Sequence, residues 1–346
     1  MAEIHLQHLT KQFRGGLVAV NDFELVIPDG SFVALLGPSG CGKTTTMNMI
    51  SGLEKPTSGE IYFDKQPITR LPPGARTVGF VFQNYAIFTH MSVAENISFG
   101  LRVRKPRPAK DEIDRKVKSI ADVLGLGGML DRNASRLSVN DMQKVALGRS
   151  MIVEPAIFLL DEPFSNLDAA FRAYMRAELK RIQHEVGQTM VYVTHDQVEA
   201  MSMADHIAVM DLGRLQQYGT PDELYNAPAN RFVAGFVGST QMNFLPATLV
   251  LGEHAGANGR PLTLGIRPEN VQLAAPDAAE ATLNGKVNLI EPLGAKDVIH
   301  LDVAGHSFRV VGAPGRRPRV GDNVGLVFDR ARQLLFDDET SLAVEL

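Results

Sequence analysis

Two textures of hydrophobic patterning divide the chain. Short continuous apolar runs ("SFVALLG", "TVGFVF", "AIFLLDEP", "MVYVTHD" and "HIAVMDLGRL") recur between helical patterns as far as about residue 235. Continuous runs without alternation suit strands of a parallel sheet covered on both faces. "KTTTMNMISGL" reads as a helix closed near Gly52, directly behind a glycine-rich loop. From about residue 86 to 155 the pattern turns to Pro-rich "KPRPAK" and then charged "DEIDRKVKSIADVLGL", which predicts a mostly helical insertion. After "NRFVAGFVGSTQMNFL" the texture changes again. Short strands such as "KVNLIEPLG", "DVIHLDVAG", "SFRVVG" and "NVGLVFD" follow at close spacing, separated by Gly and Pro, and predict a small all-β, barrel-like domain. The expected organisation is an α/β domain over residues 1–236, with a helical subdomain at about 86–155, and a β domain over 237–346.

Composition narrows the class. With 346 residues and 45% hydrophobic content, the chain can bury one large or two medium cores. The net charge is -4 and no Lys/Arg block forms a basic arm, so no nucleic-acid partner is expected. A single cysteine, Cys41, rules out an intrachain disulfide and suits a reducing compartment. The start "MAEIHLQHL" lacks the basic and apolar regions of a secretory signal. No apolar run reaches the roughly 18 to 20 residues that span a bilayer. Work at a membrane would require docking onto a protein that crosses it.

The chemistry starts at residues 37–44, "GPSGCGKT", which match G-x-x-x-x-G-K-[ST] between an apolar strand and a helix. Backbone N–H groups of such a loop, with the helix N-terminus behind them, cradle phosphates. Gly37, Pro38, Ser39, Gly40, Cys41 and Gly42 form the loop. Lys43 reaches the β- and γ-phosphates, Thr44 ligates magnesium, and Thr45 completes the cradle. A thiol reagent on Cys41 would crowd this loop. "AIFLLDEP" ends a buried strand in two carboxylates: Asp161 is placed to hold magnesium and Glu162 to polarise an attacking water. An acidic strand exit is common in isolation. Here residues 165–168, "SNLD", follow at once with Asp168, and "VTHD" closes a later strand with His195. A lone histidine is more often structural, but at a strand end beside two acids it is a γ-phosphate contact. Gln83 in "VFQNYAIF" follows another strand and is a candidate for both magnesium and water.

In this order, "GPSGCGKT", "VFQNYAIF", "LSVNDMQKVALGRS", "AIFLLDEPFSNLD" and "VTHD" resemble the ATP-binding-cassette ATPases. The tail, with "NRFVAGFVGSTQMNFL" and "LGIRPENV", is similar to the ATPase subunits of bacterial carbohydrate importers of the maltose type, which carry a C-terminal OB-like barrel. The resemblance implies an α/β P-loop cassette with a helical subdomain, ATP and Mg2+ as cofactors, and a peripheral place on the cytoplasmic face of the membrane. It implies a second ATPase subunit, two permease subunits and an extracytoplasmic solute-binding protein. It makes Phe13 the aromatic that stacks on adenine. It also makes Phe82, Tyr85, Ile87 and Phe88 candidates for the groove that grips a permease helix. Sugar is the expected solute class, with glycerol, other polyols and glycerol phosphate close behind. In the tail, Arg267 and Glu269 read as a strand-end ion pair.

One motif departs from the family. Its pattern is L-S-G-G-Q, and this chain has Leu137, Ser138, Val139, Asn140 and Asp141. In these dimers that motif closes on the ATP held by the opposite chain's loop, so the departure affects the other chain's ATP. Val139 adds a β-branched side chain where glycine allows close approach. Asp141 brings negative charge towards a phosphate, a repulsion of about 1 to 4 kcal/mol near contact, depending on effective dielectric. Ser138 and Asp141 still form an S-x-x-D helix cap. Two assemblies follow: a heterodimer whose other ATPase supplies an intact motif, or a homodimer with impaired turnover. A regulatory subunit that binds ATP with little hydrolysis is a third reading, opposed by the intact Glu162 and His195. A soluble cassette of DNA repair or translation would be expected to show long insertions, duplicated cassettes or basic surfaces, and none is present.

Overall fold

The computed structural model describes residues 2–82, 85–165, 167–252, 261–276, 278–315 and 317–344. The chain divides into two compact units, Met1–Pro221 and Asp222–Leu346.

The first unit starts with strands β1 (Ile4–Gln12), β2 (Val18–Ile27) and β3 (Phe32–Leu36), helix α1 (Lys43–Ser51), and strands β4 (Ser58–Phe63), β5 (Gln66–Pro67) and β6 (Val78–Val81). Three helices follow: α2 (Val93–Val103), α3 (Lys110–Val123) and α4 (Val139–Met151). The unit continues with β7 (Ile157–Asp161), α5 (Ala169–Val186), β8 (Thr189–Thr194), α6 (Gln197–Met203), β9 (His206–Asp211) and β10 (Arg214–Gly219). A six-stranded sheet runs β10-β9-β3-β8-β7-β6, parallel except for the β10 edge. All residues of β3 and β8 are buried, as their unbroken apolar runs predict. The expected helical insertion is present as α2, α3 and α4.

The sequence pattern did not reveal a second, antiparallel sheet, β2-β1-β4-β5. Its strands alternate: Ile4, Leu6 and Leu9 of β1 turn inward while the residues between them meet solvent. Their inner faces join Val33, Leu35, Val191 and Val193 of the parallel sheet and Met47 and Ile50 of α1 in one core. Each such side chain contributes roughly 1.5–3 kcal/mol when fully buried, which fixes α1 between the sheets. Its far end is tied down by the buried Arg76. That guanidinium donates to the carbonyls of Met49 at 2.6 Å and Ile50 at 2.9 Å, joining the Gly52 N–H on Met49 in capping the last turn.

The second unit is built on antiparallel strands β11 (Asn243–Pro246), β12 (Leu262–Ile266), β13 (Val271–Ala274), β14 (Leu283–Pro292), β15 (Asp297–Val303), β16 (His306–Gly312), β17 (Asn323–Phe328), β18 (Leu334–Asp337) and β19 (Ala343–Val344). They form two sheets, β11-β12-β18-β19 and β13-β17-β14-β15-β16, around Leu245, Leu264, Leu301, Phe308 and Leu326. This is the all-β, OB-like domain that the texture predicts. The division falls at the start of the helix Pro221–Asn226, so that helix from Asp222 onward and the helix Arg231–Phe236 lie in the second unit. Arg267 holds them there. It does not pair with Glu269 as expected: its buried guanidinium donates to the carbonyls of Val237, Ala234 and Tyr225 and lies 3.8 Å over the Tyr225 ring. These carbonyls lie at the helix C-termini, where a cation is favoured. Burial lowers the Arg267 pKa to about 10.

Candidate active site

Strand β3 delivers the chain into the 37–44 loop and α1 carries it away. The turn demands glycine. Gly42 has φ 103°, and a Cβ there would sit 2.4 Å from the Ala19 carbonyl oxygen. Gly40, with φ 82°, faces open space. Helix α1 has neither a side-chain cap nor an acid in its first turn. Its leading N–H groups and positive dipole end are therefore left for an external anion. Lys43 is buried, and its ammonium donates to the carbonyls of Gly37 at 2.7 Å and Pro38 at 2.9 Å, with the Cys41 sulfur 3.7 Å away. Burial pushes the Cys41 thiol above its ordinary pKa against the opposing pull of Lys43. A single cleft runs from Phe13 across Ser39, Gly40, Lys43, Thr44 and Thr45 to Glu162. Phe13 stands at its mouth, 36% exposed, with the Lys11 ammonium 5.0 Å from its ring centre. A ring so placed offers a flat apolar face to a planar ligand.

The acids arrive from the neighbouring strands. Asp161 ends β7 and accepts a hydrogen bond from the Thr44 hydroxyl at 3.2 Å. Burial raises the Asp161 pKa above the usual carboxylate value, opposed by that hydrogen bond. Glu162 has φ 44°, a left-handed conformation uncommon outside glycine. Its N–H is held by the Val193 carbonyl of β8 at 3.0 Å. The turn brings its carboxylate 3.0 Å from His195 Nδ1, one residue beyond β8. A hydrogen bond to an ionised carboxylate needs the histidine tautomer that carries its proton on Nδ1. Asp168 caps α5, accepting from the Phe171 N–H at 2.9 Å.

Thr44 and Asp161 are suited to magnesium, which prefers one or two hard protein oxygens and completes its shell with phosphate and water. Their oxygens already lie together, and a cation there would relieve the burial that disfavours the Asp161 charge. Among the described residues no cluster of three or more His, Cys, Asp or Glu side chains forms a separate metal cage. Gln83, the other expected ligand, lies outside the described residues.

Ser138, Val139, Asn140 and Asp141 stand apart from this cleft, at the start of α4. Ser138 caps the helix. Its hydroxyl accepts from the Asp141 N–H at 3.2 Å and donates to the Asp141 carboxylate at 2.7 Å. Val139 is exposed. Gln143, one turn on and not singled out in the sequence, is buried and donates to the Pro163 carbonyl at 2.8 Å, joining α4 to the segment after Glu162. The expected groove residues separate. Phe82 and Tyr85 line a groove with Phe99 and Arg149. The Phe88 ring packs under the Arg149 guanidinium at 4.5 Å and against Phe99 at 4.6 Å. Ile87 is half-buried outside the groove lining.

The family model described as ABC transporter matches residues 20–165, and that described as TOBE domain matches 264–336. The chain is similar to the trehalose/maltose import ATP-binding protein MalK of Thermococcus litoralis, 44% identical over 99% of this chain and 100% of the relative. It is also similar to the maltose/maltodextrin import ATP-binding protein MalK of Salmonella typhimurium, 45% identical over 88% of this chain and 86% of the relative. Among solved structures, cbiO1 from Clostridium perfringens, part of an ABC transporter complex, superposes with TM-score 0.60 at 30% identity over 64% of this chain and 89% of its own. A dimeric ATP-binding cassette in a post-hydrolysis state bound to ADP and Pi superposes with TM-score 0.57 at 28% identity, covering 63% of this chain and 98% of its own.

Proposed function

The chain belongs to the MalK-type ATPases of ABC transporters, with a C-terminal TOBE domain, and from that premise we propose that it powers import of a sugar or polyol as one half of an ATPase heterodimer. It is an ATPase, converting ATP to ADP and phosphate. The proposed roles follow from the cleft. Phe13 stacks on the base, and the N–H groups of the 37–44 loop hold the phosphates. Lys43 exchanges its carbonyl partners for phosphate oxygens. Glu162 orients the water that attacks the γ-phosphorus as the bond to the ADP oxygen breaks. His195 supports the transferred group and, through Nδ1, the Glu162 carboxylate. Thr44, Asp161 and Gln83 would hold magnesium, whose charge lowers the cost of the negative charge gathering on the phosphates.

The heterodimer reading is carried by one observation: the loop, Asp161, Glu162 and His195 are complete, while the Ser138 hydroxyl is bonded to the chain's own Asp141. On this reading an internal carboxylate blocks the half-site offered to another subunit's ATP, and the second subunit supplies an intact motif to this chain's own loop. Two permease subunits receive the work, with the Phe82–Tyr85 groove as the contact for a permease helix. An extracytoplasmic binding protein delivers the solute. Among the described residues no helix is long and apolar enough to cross a membrane, which suits a subunit docked from the cytoplasmic side. Sequential purification of transporter from cells expressing two differently tagged copies of this chain tests the pairing. Complexes should carry one tag and a second ATPase. Complexes carrying both tags would establish a homodimer and refute the heterodimer.

A further inference from the structure

A small polar cavity lies beside the hydrolytic pair, and Arg172 reaches into it from the first turn of α5. Its guanidinium meets three separate elements. Nη2 donates to the Leu167 carbonyl at 3.1 Å, immediately before the Asp168 cap. Nη1 donates to the Asp196 carboxylate at 3.3 Å, immediately after His195. Nε is buried without a hydrogen-bond partner and faces Glu199 at 3.8 Å.

The groups on the far side are themselves fixed. The other Asp196 oxygen caps α6, accepting from the N–H groups of Val198 at 2.8 Å and Glu199 at 3.3 Å. The Asp196 N–H donates to the Thr194 hydroxyl at 2.9 Å, and that hydroxyl donates to Glu199 at 2.6 Å. Glu199 is buried and also accepts from the Tyr192 hydroxyl at 2.7 Å. The backbone on both sides of His195 is therefore pinned by side-chain bonds that lead to one guanidinium. The same guanidinium holds the segment entering α5. His195 itself is exposed and, among the described residues, its ring bonds to Glu162, so its backbone frame determines where the ring lies.

We propose that Arg172 is a positioning residue for ATP hydrolysis, locking the His195 segment and the Leu167–Asp168 segment into one frame beside Glu162. A planar fork can bridge both segments and face a third group; a lysine ammonium in its place keeps the charge beside Glu199 but not the bridge. A misplacement of about 1 Å can cost on the order of a hundredfold in rate, so loss of the bridge acts on turnover rather than on nucleotide binding.

The inference rests on the ATPase assignment, which activity of the parent transporter checks separately. The test is Arg172→Lys in the full chain, assembled with its transporter, with kcat expressed per site titrated by a fluorescent ATP analogue. Counting only nucleotide-binding sites removes any misfolded fraction. The expected result is a fall in kcat of about tenfold with KM for ATP and melting temperature close to the parent's. Asp196→Asn should lower kcat similarly, and the double variant should fall no more than about twofold below the worse single variant, because both break one unit. A kcat within about twofold of the parent in Arg172→Lys, or losses that multiply in the double variant, would overturn the proposal.

Discussion

The Ser138 hydroxyl donates to the Asp141 carboxylate at 2.7 Å, and the Asp141 N–H returns a bond to the same oxygen at 3.2 Å. This closed pair occupies the positions that the proposed reading assigns to contact with the other subunit's ATP. An acid in the first turn also stabilises α4 through the helix dipole. The pair therefore caps this helix and, on the heterodimer reading proposed above, would oppose an incoming phosphate.

Replacing Val139→Gly, Asn140→Gly and Asp141→Gln together should reopen the motif. The readout is ATPase activity of the assembled transporter in a Glu162→Gln background, where only the opposite site can turn over. The residual rate should rise several-fold, from removal of a repulsion of about 1 to 4 kcal/mol offset by a less stable helix start. An unchanged rate would mean that the opposite site is limited elsewhere.

Phe13 is the only part of the cleft proposed to meet the base. Base–aromatic stacking is worth roughly 1–3 kcal/mol by alanine substitution. Phe13→Ala should therefore weaken ATP binding to the full chain by about 5- to 100-fold, while Phe13→Tyr retains it. Titration with a fluorescent ATP analogue measures both. Equal affinities for Phe13→Ala and the parent would remove Phe13 from the site.

Asp161 gives a pH-dependent signature. Burial raises its folded pKa above the unfolded value, so the folded chain binds the proton more tightly. The associated stability is complete below the unfolded pKa and is lost as pH rises through the folded one. Asp161→Asn should thus raise the melting temperature of nucleotide-free protein at neutral pH. The gain should shrink as pH falls towards the carboxylate range. The same variant should lose the extra thermal stabilisation that Mg-ATP gives over ATP with EDTA. A gain independent of pH would assign it to something other than the buried charge.

The candidate phosphate loop was legible as a strand–loop–helix turn because its residues are contiguous. Gly40, Gly42, Lys43 and Thr44 need only the strand before them and the helix after. Asp161, Glu162 and His195 were legible as strand-end residues, although their 3.0 Å pairing depends on β7 and β8 lying side by side. Arg172, Gln143 and Glu199 were not legible. Each reads as an ordinary helical polar residue until the fold brings Asp196, Pro163 or Tyr192 against it. Arg267 shows the converse. Its sequence neighbour Glu269 suggested an ion pair, but the carbonyls closing two helices, more than 29 residues earlier in the chain, take the guanidinium. The antiparallel β1, β2 and β4 sheet was hidden by alternation, since its half-exposed strands lack the unbroken apolar runs that mark β3 and β8.

The sharpest measurement compares ATP turnover of the assembled transporter after Glu162→Gln in this chain and after the matching substitution in the proposed second ATPase subunit. Loss of a positioned proton acceptor costs about 100-fold or more, and the effect should be unequal. Glu162→Gln here should all but abolish turnover, and the change in the other subunit should lower it by less than about twofold. Equal losses from the two substitutions, or full activity from a transporter containing this chain as its sole ATPase, would contradict the asymmetry.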